Sequence, residues 1–165
     1  MSVQQIVSTL EKLEKMHKSL LELSLKKTEH VKKGDMEELD QILKSEQSHV
    51  AAISTIEQQR QQLVVDFLNE KGISLSAAPT VLDVIEAVDN EAERKQLEGV
   101  RKRLMLIMDD LRKQNELNQK LVFQSLQVIN MTLDMLRPQP NQINYSGKEV
   151  RSQNASNKTL FDSQA

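Results

Sequence analysis

The chain contains no cysteine, so neither a disulfide framework nor thiolate chemistry is open to it, and a reducing cytosol suits it. Aromatic residues are almost as scarce: Phe67, Phe123, Tyr145 and Phe161 are the only ones in 165 residues. A globular enzyme core of this size normally uses more of these bulky side chains, whereas assemblies of long helices rely on Leu, Ile, Val and Met. Four glycines and three prolines leave few interruptions. No apolar run approaches the ~20 residues needed to cross a bilayer, and the N-terminus lacks the apolar stretch of a signal peptide. An excess of one charge is missing too, since 22 basic residues face 24 acidic ones for a net charge of −2. The densest basic cluster, Arg101-Lys102-Arg103, reads as a solvated helix face and not as a nucleic-acid footprint. These absences predict a soluble cytoplasmic protein with no nucleic-acid partner and no membrane insertion.

What the chain does have is helical periodicity. From Ser2 to about Lys33, Val3, Ile6, Leu10, Leu13 and Leu20 recur at helical spacing, with Met16 and Leu21 beside them. Gly34 suits the left-handed conformation that ends a helix, and Asp35 with Glu38 three residues later marks a new start. A second helix then runs to about Lys71 through Leu39, Ile42, Leu43, Val50, Ile53, Ile56, Leu63 and Phe67, and Gly72 ends it. So short a connection between two long amphipathic helices predicts a tight antiparallel hairpin. After a connector from Gly72 to Pro79, Thr80 caps a short helix through Val88, with Asp83 at its third position. Asp89 or Asn90 then caps a long helix reaching Leu136, roughly 70 Å at 1.5 Å per residue. Pro138 and Pro140 stop it, and the polar stretch Gln139–Ala165 cannot bury enough apolar surface to offset ordering. The reading is therefore all-α: a hairpin, a short helix and a long C-terminal helix in an elongated bundle or coiled coil over residues 1–137. Residues 138–165 are expected to form a disordered tail.

The long helix carries two apolar stripes. Leu97, Val100, Leu104, Ile107, Leu111, Val122, Leu126, Ile129, Leu133 and Leu136 form one, interrupted by Asn115 and Asn118, and this is assigned to packing on the hairpin. Leu117, Leu121, Val128 and Met135 lie on a neighbouring face, with Met131 at its edge. Nothing later in the chain is apolar enough to cover them, so they are the expected binding surface for a partner helix. The thioethers of Met131 and Met135 make that surface adaptable. The short helix from Val81 to Val88 folded over this stripe, or a homodimer through it, is the competing occupant.

Patterns associated with chemistry have simpler structural meanings here. His30-Val31-Lys32-Lys33-Gly34 has the H-x-x-K-G spacing of histidine phosphotransfer domains, but the anionic Asp35 follows and the glycine reads as a helix stop. Glu14–His17 and Glu46–His49 are both E-x-x-H, as in carboxylate-bridged di-metal bundles. The long helix, however, offers amides where further carboxylates are required. His17, Glu46, His49, Asn115 and Asn118 are therefore expected to be polar layers fixing helix register, without metal or cofactor. No glycine-rich phosphate loop or catalytic triad order is present, so no enzyme is expected. The triplets beginning at Asn154 and Asn157 are glycosylation sequons only in a secreted chain.

Three features carry a family resemblance: the helix turn Gly34-Asp35-Met36-Glu37-Glu38-Leu39, the short helix from Thr80 to Val88, and Asn118-Gln119-Lys120-Leu121-Val122-Phe123-Gln124-Ser125-Leu126 before a tail with Tyr145-Ser146-Gly147. In order and spacing they resemble the FlgN-type flagellar export chaperones as far as about Gly147. The resemblance implies a cytoplasmic chaperone that keeps hook-associated, hook–filament junction proteins from assembling early. It also implies delivery to the cytoplasmic domain of the flagellar type III export gate, with Tyr145 as a gate contact. A structural homo-oligomeric coiled coil or adaptor is the alternative.

Overall fold

A computed structural model describes residues 2–137. Tyr145, the two sequons, both proline stops and the tail expected to be disordered lie outside the described residues. Each helix begins for a local chemical reason. α1 (Val3–Lys33) opens at Ser2, whose backbone N–H donates to Gln5 Oε1 at 3.2 Å. It closes at Gly34, where φ is 70°, a conformation that glycine adopts without a Cβ penalty. One residue later, Asp35 Oδ1 accepts from the Glu38 backbone N–H at 3.2 Å and starts α2 (Met36–Glu70). α3 (Val81–Ala87) begins with a reciprocal box: the Thr80 N–H donates to Asp83 Oδ2 at 2.7 Å, and the Asp83 N–H to Thr80 Oγ1 at 3.3 Å. Asn90, not Asp89, caps α4 (Glu91–Leu136) by accepting from the Ala92 and Glu93 amides at 2.9 and 3.4 Å.

The hairpin of α1 and α2 is antiparallel, as the single-glycine turn requires. α4 lies along the other side of α1 and runs parallel to it, since Glu14 pairs with Arg103, Ser24 with Asn115 and Thr28 with Asn118. α1 is thus the central helix, packed on both long neighbours, whereas α2 and α4 do not pack on one another. At the end remote from the turn, α3 bridges α2 and α4 and completes the bundle. The core sits there. Ile6, Val7 and Leu10 of α1, Val64, Phe67 and Leu68 of α2, Val81, Val84, Ile85 and Val88 around α3, and Leu97, Val100 and Leu104 of α4 form one buried cluster.

The seam between α1 and α4 repeats every seven residues: Leu97, Leu104, Leu111 and Asn118 are all buried, flanked by Val100 and the half-buried Ile107, Gln114 and Leu121. This corrects the sequence-based assignment. A straight helix drifts about 20° per heptad relative to such a seam. A stripe followed at a constant 100° per residue therefore passes from Leu111 to Val122, whereas the structure passes from Leu111 to Asn118. Val122, Leu126, Ile129, Leu133 and Leu136, assigned to hairpin packing, are instead exposed. A second correction concerns the basic cluster. Arg103 is not merely solvated, because its Nε sits 3.2 Å from Oε2 of the buried Glu14. Burial pushes the Glu14 carboxyl up, but hydrogen bonds and charge from Lys18 and Arg103 outweigh it and hold it below the usual carboxylate range.

Candidate helix-binding groove

Moving along α4 toward the turn of the hairpin, the apolar core gives way to a buried polar cluster. Asn118, 3% exposed, donates from Nδ2 to the Ser24 carbonyl at 2.8 Å and to Ser24 Oγ at 3.1 Å. Its Oδ1 accepts from Thr28 Oγ1, Gln114 Nε2 donates to that hydroxyl at 2.6 Å, and Ser24 Oγ donates to Asn115 Oδ1 at 2.9 Å. With each buried group paired, the cluster costs little and fixes which residue of α4 stands opposite which residue of α1. Asn118 and Asn115 thus take part in an inter-helix polar layer. Ser24 and Thr28 escape a pattern search, since they are small hydroxyls standing where Leu20 and Val31 continue an apolar face of α1.

The other residues singled out in the sequence are not brought together into one layer. Glu46 accepts from Lys27 Nζ at 3.1 Å. His49 Nε2 meets Ser19 Oγ at 2.7 Å while its Nδ1 meets the Ser45 carbonyl, and His17 Nδ1 meets the Leu13 carbonyl, both also at 2.7 Å. Glu14 is held by Lys18 and Arg103 and does not converge with His17. Among the described residues no three His, Asp or Glu side chains cluster as metal ligands would. His30 Nδ1 lies 3.5 Å from Asp35 Oδ2, an anion that would repel a phosphoryl group.

Beyond the polar cluster the bundle opens. The side of α4 carrying Val122, Phe123 and Leu126 faces the first half of α2, where Met36, Leu39, Leu43 and Val50 point back across α1. Leu20 and Val31 of α1, with the Lys27–Glu46 ion pair, lie between these walls, and the resulting groove encloses about 740 Å³. Its walls are exposed and apolar: Val122 is 39% accessible, Leu126 52% and Met36 74%. The groove lies between the same two helices, α2 and α4, that α3 bridges at the opposite end. α3 covers that end with Val81, Val84 and Ile85, the i, i+3, i+4 face of an amphipathic helix, followed by the buried C-cap Val88. At the turn end no segment among the described residues does the same.

Leu117, Leu121, Val128, Met131 and Met135 lie around the other flank of α4. Leu121 is half-buried at the edge of α1, where Val31–Gly34 border a shallow depression that Val128 also lines. The remaining four are exposed, up to 79% at Met135. The last third of α4 therefore has two bare apolar faces, one inside the groove and one outside it. The α2 wall and Phe123 were missed from sequence. Leu39, Leu43 and Val50 did stand in the apolar pattern of α2, but a pattern cannot tell that α4 remains apart from them.

Among the described residues no helix is long and apolar enough to cross a membrane. No solved structure matches the chain. The uncharacterized protein YvyG of Bacillus subtilis (strain 168) is 35% identical over 167 residues, an alignment that covers 100% of both chains. The family model described as FlgN protein matches residues 1–153. An all-helical bundle, a match over nearly the whole chain and a full-length relative agree: the chain belongs to the FlgN family, a family of flagellar export chaperones.

Proposed function

We propose that the protein is a cytoplasmic chaperone whose clients are the hook-associated, hook–filament junction proteins, and that it holds a client's amphipathic terminal helix in the groove between α2 and α4. The observation that carries this reading is the groove itself. It offers an amphipathic helix the same kind of seat that α3 occupies at the other end. A helix with apolar residues at i, i+3, i+4 and i+7 would bury its face against Met36, Leu39, Leu43, Val122 and Leu126. The Lys27–Glu46 pair and Gln119 at the walls favour a client with a polar side chain at their level, because an all-apolar face would desolvate them without compensation. Client segments beyond that helix extend onto Leu117 and Leu121 on the other flank of α4 and onto Val128, Met131 and Met135, where its projecting end is bare.

A helix so bound can neither aggregate nor assemble until it is released. Delivery follows from docking of the chaperone tail, through Tyr145, to the cytoplasmic domain of the export gate, a role that rests on the family resemblance. Affinity for a purified hook–filament junction protein tests the reading. Val122→Asp with Leu126→Asp should weaken binding at least 100-fold, about 3 kcal/mol for lost hydrophobic anchors, with little change in melting. Val128→Asp with Met131→Asp should cost less, about tenfold. Undiminished binding by both variants would remove the client from this end of the molecule. Tyr145→Ala should weaken gate docking and leave client binding intact; loss of both together would contradict the division of labour.

A further inference from the structure

The face of α4 outside the groove has an order of its own. Leu117, Leu121, Gln124, Val128, Met131 and Met135 are spaced by alternating steps of four and three residues, the seam of a coiled coil. From Leu121 to Leu133 the helix carries no charge, and this neutral stretch is bracketed by Lys120 before it and Asp134 after it. With Leu121, Val128 and Met135 at the a positions and Leu117, Gln124 and Met131 at d, the residues Lys120, Gln127 and Asp134 all fall at g. Position g flanks the seam, where charge sets partner choice and orientation.

We propose that the client-free protein pairs with a second copy of itself through this face, the two α4 helices running antiparallel. In an antiparallel pair a packs against d, and g meets g. Leu121 of one protomer then packs on Met131 of its partner, Leu117 on Met135 and Gln124 on Val128. At the flank, Lys120 meets Asp134 at both ends, and Gln127 meets its own copy in the middle. A parallel pair would set Lys120 beside the partner's Ser125 and use neither charge. The dyad falls level with Leu126. α1 ends near that level, since Val31–Gly34 border the α4 residues from Leu121 to Ile129. Each hairpin therefore stops near the dyad, clear of the partner's hairpin, and each projecting end of α4 is laid along the part of the partner's α4 that packs on its own α1. The arrangement is closed and two-fold, so it ends at a dimer and does not propagate. Among the described residues Asp134 pairs with Arg137 at 3.7 Å, an exposed contact easily exchanged for Lys120 of the partner.

This pairing does not rest on the chaperone reading, and its test includes no client. Sedimentation of the full-length protein alone should show a dimer at about 100 µM, between the millimolar and micromolar marks of the affinity scale. Lys120→Asp and Asp134→Lys should each weaken dimerisation about tenfold by opposing like charges, and the double exchange should restore it. Gln127→Cys gives a second readout, free of background because the chain has no other thiol. Mild oxidation should link two copies through position 127, whereas a cysteine replacing Glu116 should not cross-link to its own copy. A wild-type monomer at that concentration would overturn the proposal. So would a dimer indifferent to the single reversals, a folded double exchange that fails to recover, or cross-linking at 116 in place of 127.

Discussion

The two ends of the bundle are built from the same helices and treat apolar residues in opposite ways. At the end holding α3, Leu97, Val100 and Leu104 of α4 are buried among residues of all four helices. At the turn end, Val122, Leu126, Val128 and Ile129 of the same α4 are exposed, although hydropathy alone does not separate the two sets. The difference is the number of neighbours. α3 bridges α2 and α4 at one end, α1 stops at Gly34 at the other, and α4 runs on for about three turns past it. Hydrophobicity that contributes to stability at one end is, at the other, left at the surface, and the proposed function assigns it to binding.

Truncation should separate the ends most strongly. Leu97→Ala is expected to cost about 2–5 kcal/mol in urea unfolding, because Leu97 is fully buried and its truncation opens a cavity in the core. Leu133→Ala should stay within about 0.5 kcal/mol, as at ordinary exposed positions. Equal losses would erase the comparison. The polar cluster between the ends should respond at an intermediate level. Asn118→Ala removes the buried amide that bonds both Ser24 and Thr28 and should cost about 1–3 kcal/mol. A neutral outcome would mean the cluster does not hold α4 on α1.

The smallest effect concerns pH. Because Glu14 titrates below the ordinary value near 4.5 in the fold, its ion pairs stabilise above that value and are lost as pH falls through the lowered one. Stability should therefore drop more steeply below about pH 4.5 in the wild type than in Glu14→Gln. Parallel acid profiles would show that Lys18 and Arg103 contribute nothing there.

Much of this architecture is legible in the sequence, because helix ends are local chemistry. Gly34, Asp35, the Thr80–Asp83 box and Asn90 each act within three residues, and each stands where its residue type predicts. The groove was harder to foresee. Its existence depends on α4 keeping a seven-residue seam through Asn118, and a polar residue in a seam looks like an interruption to a reading that follows apolar side chains. The Glu14–Arg103 pair spans 89 positions and leaves no local trace. The apolar surplus on α4 was visible, but which face opens toward α2 was not, since no pattern in either helix records their separation.

Amide hydrogen exchange, compared between the free protein and its complex with a hook–filament junction protein, tests the groove most directly. The groove account predicts that protection rises on both walls together, over Met36–Val50 of α2 and Asn115–Leu126 of α4, while Val81–Ala87 of α3 stays unchanged. Self-pairing through α4 would not protect α2, so the first segment is decisive. Protection gained at α3, or confined to α4 with α2 unaltered, would contradict a client helix lying in the groove.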